Sequence, residues 1–190
     1  KNIIITIVIS SLLIITFTQI TGRENRLTFL DVGQGDASVI ESKDGSVVMI
    51  DTGPIRYVNA QQPYYNVAKT VLLPFLKHRG INQIDLLIIT HFDLDHYGGL
   101  LNLADSIKIK QIIHNGNGRK YPWFKRLTET YRIKTREIKQ NDVITLNKEL
   151  SLICLNPPKT EINALKKNNA SIVLKAILGD KSVLFTGDIH

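Results

Sequence analysis

An internal disulfide is excluded within these 190 residues, because Cys154 is their one cysteine. That thiol lies in the apolar run 150–155 and reads as an inert core residue. No repeat and no low-complexity tract interrupts the 190 residues, so neither a stacked-repeat architecture nor a disordered arm is indicated. Acids are scarcer than bases, 17 against 24, and the resulting net charge of +7 favours an anionic partner such as nucleic acid or a lipid surface. A starting methionine is also missing. The chain opens at Lys1 and stops two residues after Gly187-Asp188, so it reads as a fragment open at both ends. Its apolar fraction of 43% is ordinary for a globular protein, and its length suffices for one domain with a sizeable core.

Charge is absent altogether from residues 2–22, where Ile, Leu, Val and Phe dominate. A helix that crosses a bilayer needs about 20 such residues, and this run supplies them. A strand of that length would be far outside the usual range, and no small-x-small cleavage pattern appears near residues 18–22. Residues 1–22 therefore read as a transmembrane or signal-anchor segment, with a signal peptide as the alternative, and residues 23–190 as the domain that follows. Lys1 precedes the run while Arg23 and Arg26 follow it, which leaves its orientation open.

Beyond the anchor, short apolar runs alternate with turn signals. Residues 27–30, 37–40 and 46–50 read as three successive strands, the last two joined by the turn Lys43-Asp44-Gly45. Residues 66–78 carry apolar side chains at helical spacing and end at Gly80. Residues 84–89 show no alternation, as expected of a strand buried on both faces. A helix over 96–103, a short strand over 111–113 and a helix over 123–131 opened by Pro122 come next. Strands at 150–155, 171–178 and 182–185 close the chain. Strands outnumber helices and the helices fall between strand groups, so the pattern predicts sheet-on-sheet layers covered by helices.

The most informative run is Thr90-His91-Phe92-Asp93-Leu94-Asp95-His96, directly after the buried strand and before Gly98-Gly99. Carboxylates and imidazoles crowded this closely repel one another or lose solvation unless a cation sits among them, and a pair of divalent ions meets that need. A polar loop in which Asp95 caps the next helix would account for one carboxylate and leave the other ligand types idle. Two further strand ends carry an acid before or after a glycine, Ile50-Asp51-Thr52-Gly53 and Phe185-Thr186-Gly187-Asp188, so their carboxylates can face one rim. Leu30-Asp31-Val32-Gly33-Gln34-Gly35-Asp36 forms a glycine-rich link between the first two strands.

In kind, order and spacing these motifs resemble the metallo-β-lactamase superfamily of hydrolases, and within it the hydrolase domain of the ComEC-type DNA-internalisation competence proteins. The resemblance covers residues 27–190. It implies an αββα sandwich, here truncated at the C-terminus, with a dinuclear site on the rim between the sheets and a membrane segment just before the domain. Carried onto this sequence, it assigns His91 and Asp93 to a first metal and Asp95 and His96 to a second. Asp188 would bridge the two, with Asp51 supporting the ligands from behind. Most of the superfamily has histidine where Asp93 stands. The carboxylate makes that position harder and shifts preference from zinc toward manganese or magnesium. The superfamily usually adds a histidine between the Asp95-His96 pair and the bridging aspartate. The corresponding stretch here reads Asn168-Asn169-Ala170-Ser171, so an amide, a hydroxyl or water would replace it; His114 belongs to a different strand group. A last histidine normally lies past the Thr-Gly-Asp strand. His190 comes too soon after Asp188 to be that residue and reads as the start of a helix.

Two ions about 3.5–4 Å apart lower the pKa of water and stabilise both the attacking and leaving oxygens of a phosphodiester. Asp95 would then orient the water, and Asp36 and Gln34, on the glycine-rich link, would contact substrate. A structural turn in which Asp36 caps backbone amides is an equal alternative for that pair. Residues 108–139 hold ten Lys or Arg against two acids, with Tyr121, Trp123, Phe124 and Tyr131 among them. Such interleaving suits single-stranded nucleic acid, with Lys125 and Arg126 on the phosphates. Taken alone, the segment reads rather as a solvated helix with Trp123 and Phe124 pointing into the core, and it is the family resemblance that favours DNA. The expected function is a metal-dependent hydrolase that cuts DNA during uptake, on the extracytoplasmic face of the cell membrane and beside channel or other competence partners. Two alternatives stand beside it: an envelope phosphoester hydrolase of the same fold, and a non-catalytic DNA-guiding module.

Overall fold

The structure is a computed structural model that describes residues 2–21, 23–59, 62–159 and 168–189. Gly22, His190 and residues 160–167, on which parts of the sequence reading fall, lie outside the described residues. The uncharged N-terminal run forms one α-helix, α1 (Asn2–Thr21). Its described side chains extend only to Leu13, and within the described residues no helix is long and apolar enough to cross a membrane.

Two sheets follow. The larger has six strands in the order β1 (Arg26–Phe29), β2 (Ser38–Glu41), β3 (Val47–Ile50), β7 (Leu86–Ile89), β9 (Gln111–His114) and β10 (Lys134–Glu137). Its first three strands run antiparallel, and β3, β7, β9 and β10 run parallel. The smaller sheet is an antiparallel set of β11 (Val143–Thr145), β12 (Leu150–Asn156), β13 (Val173–Leu178) and β14 (Lys181–Phe185). Two short ribbons stand apart: β4 (Ile55–Asn59) with β5 (Gln62–Asn66), and β6 (Gln83–Ile84) with β8 (Lys108–Ile109). Helices α2 (Leu73–His78), α3 (Leu94–Tyr97), α4 (Leu100–Ser106) and α5 (Pro122–Thr130) fill the connections between them.

Alternation along the central strands sorts the core into two layers. Met49, Leu87, Ile89 and Ile112 pack with Leu72, Leu76, Leu100, Leu103, Phe124 and Leu127 from the helices. Val48, Leu86, Ile88 and Ile113 point the other way, onto Leu150, Leu152, Cys154, Leu174 and Ala176 of the smaller sheet. Strand β7 therefore has no polar face, which is why its sequence does not alternate. The described residues form helices, sheet and sheet in that order. The outer helical layer of an αββα sandwich is not among them.

Local differences from the sequence reading have physical causes. The segment over 66–78 does not begin as a helix. It starts as the end of β5, passes through a π-helical turn (Ala68–Leu72) and becomes α-helical only at Leu73, where the ring of Pro74 needs no amide partner. Residues 96–103 are not one helix, because Gly98 and Gly99 separate α3 from α4. Strand β10 went unread because three of its four residues are exposed and charge dominates it.

Candidate metal centre

The parallel strands deliver their carboxyl ends to one rim. Strand β3 exits through Asp51, which takes a left-handed φ of 57°, and β7 exits through Thr90 and His91. The register of β3 and β7 sets these exits side by side, and Asp51 N donates to the Ile88 carbonyl at 2.8 Å. On the second sheet, β14 ends at Phe185 and the turn through Gly187 presents Asp188. Its neighbour at this edge is Ser171, which leads into β13, and Ile172 N donates to the Thr90 carbonyl at 2.9 Å.

Asp51 is buried and organises the rest. Its Oδ1 accepts the Thr90 amide at 2.8 Å, while Oδ2 accepts the Thr90 hydroxyl at 2.6 Å and faces His96 Nδ1 at 2.8 Å. The Thr90 hydroxyl has one proton and gives it to Asp51, so at 3.1 Å from His91 Nδ1 it can only accept. Both imidazoles therefore carry hydrogen on Nδ1, an assignment that follows from the network. Each Nε2 is left to face Asp188. His96 Nε2 lies 3.3 Å from Asp188 Oδ1, and His91 Nε2 lies 3.8 Å from Asp188 Oδ2 and 3.6 Å from Asp93 Oδ2. The two rings are 4.1 Å apart between centroids, and both are buried.

Electrostatics follow from burial. Desolvation raises the Asp51 carboxyl above the ordinary carboxylate range, against the lowering pull of its His96 and Thr90 hydrogen bonds. Burial disfavours the charged form of His96, yet the hydrogen bond and charge of Asp51, with Asp188 and Asp95 adding to them, prevail and push its pKa up to about 9. The site gathers positive charge between carboxylates. A divalent ion at Nε2 would replace that proton.

The donor set fits such an ion. Atoms bound at about 2.0–2.2 Å to one tetrahedral ion stand about 3.3–3.6 Å apart. The separations of 3.3, 3.6 and 3.8 Å around His91, His96, Asp93 and Asp188 are of that size. Ligand atoms of His91, His96 and Asp188 all lie within 4.8 Å of one another, and so do those of Asp36, Asp51 and His96.

Not every expected residue joins these groups. Asp36 does, from the exposed glycine-rich link, whose Gly35 (φ 103°) is so close to α3 that a Cβ there would lie 2.0 Å from the Asp95 carbonyl oxygen. Asp95 contributes to neither group and instead lines a cleft with Gln34, Arg56 and Leu94. Lys125 and Arg126 stand exposed on α5, outside the rim, with Lys125 3.9 Å from Glu129. One hydroxyl escaped the sequence reading: Thr90 joins Asp51 to His91, and threonine is too common in sequence to signal such a role. Ser171, in the stretch expected to offer an amide, a hydroxyl or water in place of a histidine, is fully buried at this edge, and among the described residues its Oγ has no hydrogen-bond partner. A Cβ added at Gly187 would stand 3.3 Å from that Oγ.

A family model described as the metallo-beta-lactamase superfamily matches residues 30–190. ComE operon protein 3 of Bacillus subtilis is 30% identical over 176 residues, which cover 88% of this chain and 22% of that protein. Recombination protein 2 of Haemophilus influenzae is 29% identical over 175 residues, 92% of this chain and 20% of that protein. The chain thus spans about a fifth of the length of these relatives, both ComEC-type competence proteins. Among solved structures, the metallo-beta-lactamase fold protein YhfI of Bacillus subtilis superposes with a TM-score of 0.56 at 13% identity. That match covers 86% of this chain and 63% of YhfI, a likeness of fold.

Proposed function

Since the chain belongs to the metallo-β-lactamase superfamily and resembles ComEC-type competence proteins over most of its length, we propose that it is a metal-dependent hydrolase acting on phosphodiester bonds of DNA during uptake. The observation that carries this reading is the convergence of His91 Nε2, His96 Nε2 and the Asp188 carboxylate at one buried rim, with Asp93 beside them. His91, Asp93 and Asp188 would hold a first divalent ion, and His96 with Asp188 a second, helped by Asp36 or Asp95. Manganese, zinc or magnesium would serve, with Asp93 favouring the harder ions. When bound, these ions supply Lewis acidity that lowers the pKa of water and neutralises charge developing on phosphoryl oxygens. The protein's share is to keep both imidazoles oriented through Asp51 and Thr90 and to exclude solvent behind them. Asp95 or Asp36 would accept a proton from an attacking water. Gln34, Lys125 and Arg126 are the proposed substrate contacts.

Residues 1–22 would anchor the domain of residues 23–190 in the cell membrane, with the hydrolase domain outside. The support is an uncharged helix of 20 residues, about 30 Å long at 1.5 Å per residue, whose described side chains Ile3 to Leu13 are exposed. A channel-forming partner region would supply the route for the strand that enters.

Purified protein with manganese should cut a labelled single-stranded oligonucleotide, and Asp188→Asn should slow cutting by about a hundredfold or more while the fold persists by circular dichroism. Binding without cutting across manganese, zinc and magnesium would favour a DNA-guiding module. Hydrolysis of small phosphodiesters without DNA binding or cutting would favour an envelope esterase.

A further inference from the structure

His114 ends β9 on the same rim as the metal centre, yet the site makes no use of it. It is 4% exposed and lines a cavity of about 270 Å³ together with Phe124, Arg119, Lys125, Arg136 and Glu137. Its Nδ1 accepts the Gly116 amide at 3.0 Å, so the proton of the neutral ring is on Nε2. Burial holds this imidazole below the ordinary histidine pKa, with the charge of Arg119 adding to that effect and Glu137 opposing it. A buried imidazole that stays neutral offers one hydrogen-bond donor to whatever enters. Glu137, paired with Arg119, offers a carboxylate acceptor beside it. Phe124 is buried and stands edge-on to His114 at 5.4 Å between ring centroids, giving the cavity an aromatic wall. At the mouth Arg119 and Lys125 are 79% and 78% exposed, and Arg136 is exposed as well.

One donor, one acceptor, an aromatic wall and three cations at the entrance match a nucleotide. The donor and acceptor meet the edge of a planar base, the ring stacks or packs on it, and the cations take its phosphates. The cavity is also next to the metal centre. The Phe92 ring, one residue from His91, lies 6.0 Å from His114 and 5.1 Å from Phe124 between centroids. A ring of the cavity's aromatic surroundings and a candidate metal ligand are thus consecutive residues, a proximity that suits neighbouring units of one strand.

We infer that this cavity is a base-binding subsite, which receives the nucleobase of a nucleotide next to the bond presented at the metal centre. The inference rests on the reading above only for nucleic acid as substrate. Bare phosphate would need only the rim cations. The Nε2–H of buried His114 and the half-buried Glu137 carboxylate, which also meets Arg119, would add what the edge of a base requires.

The test is made by fluorescence anisotropy on the full chain without metal, so that failure to cut DNA would leave it standing. The probe is fluorescein-labelled hexathymidylate, whose bases each carry a ring N–H and a carbonyl. A hexamer of abasic sites should bind at least about tenfold more weakly, the range expected for one stacked base. Thr135→Trp fills the cavity mouth from an exposed strand position and should not disturb the core. It should weaken hexathymidylate binding about tenfold while leaving the abasic hexamer unaffected, and Glu137→Leu, which removes the acceptor and frees Arg119, should lower the preference for hexathymidylate over the abasic hexamer about tenfold. Thymidine monophosphate, the arm for a free nucleotide, should compete only about a hundredfold or more above the hexamer's Kd. Equal binding of the thymidylate and abasic hexamers would overturn the subsite, as would the parental preference for hexathymidylate in both folded variants. Competition by the monophosphate at the hexamer's own concentration would overturn a strand as the source of the base.

Discussion

Thr90 shows how much a single hydroxyl can decide. It gives its proton to Asp51 and accepts one from His91, so one oxygen fixes the orientation of two groups on different strands. Thr90→Val keeps the shape and removes that link. His91 Nδ1–H then loses the acceptor that aims Nε2 at Asp93 and Asp188, and Asp51 keeps only the amide of residue 90 and His96. Loss of such support behind a ligand costs about 10–100-fold in metal affinity, and the unsatisfied polar groups cost about 1–3 kcal/mol of stability. Calorimetric titration with manganese reads the first quantity and urea denaturation the second. Unchanged affinity would mean that Thr90 plays no part in holding the ligands. Asp51, by contrast, needs no such inference. It was legible in the sequence because an acid followed by Thr-Gly at the end of an apolar run is a rare pattern, while a threonine before a histidine carries no comparable signal.

At the level of elements, the connection between α3 and α4 locks the metal rim to the loop after β3. The Thr52 amide and hydroxyl both donate to the His96 carbonyl, at 2.6 and 3.1 Å, and Gly99 N donates to the Gly53 carbonyl at 3.2 Å. Gly98 lets the two segments approach: a Cβ there would stand 2.3 Å from Ile55 N and 2.7 Å from the Pro54 carbonyl carbon. Gly98→Ala must therefore push α3 away from the loop, at about 1–3 kcal/mol for overpacking, and displace His96 from Asp51. The expected result is a lower melting temperature together with weaker manganese binding. A variant that melts and binds like its parent would show that the junction is loose. The same junction explains where the sequence reading ran out. Apolar periodicity continues across Gly98-Gly99 and reads as one helix, because periodicity records which side is buried and not how closely two backbones approach. Strands β7, β12 and β13 were legible, since burial on one or both faces selects apolar residues in every register. Ribbon β4–β5 and strand β10 were not, because Arg56, Pro63, Lys134 and Arg136 carry no burial signal. Of the site, the acids at the strand ends and the histidine run could be read directly. That Asp36, not Asp95, supplies a carboxylate to the grouped ligand atoms depends on how a glycine-rich loop folds back, which spacing alone does not encode.

Across the whole molecule, acid is distributed against the general charge. A chain of net charge +7 collects Asp36, Asp51, Asp93, Asp95 and Asp188 at or beside one rim, around two buried histidines. Its bases gather elsewhere, ten of them within residues 108–139. Such a division would keep an anionic ligand on the basic surface and leave the acidic rim to cations. It also makes the fold's stability depend on what occupies that rim, because an ion that binds only the folded state adds its binding free energy to folding. At a hundredfold excess over Kd the gain is about 2.7 kcal/mol. For a chain of this size each kcal/mol raises Tm by roughly 2–4 °C, so manganese should raise Tm by about 5–11 °C. Scanning calorimetry with and without manganese measures this, and excess chelator should return the melt to that of the metal-free protein. Asp188→Asn should lose most of the shift, because Asp188 faces both Nε2 atoms. Thr135→Trp, on an exposed strand away from the rim, should keep all of it. Melting that is the same with manganese, zinc and magnesium as with chelator would remove the metal centre from this fold, and the hydrolase reading with it. A shift retained in full by Asp188→Asn would keep the metal but move its ligands away from the β14 turn.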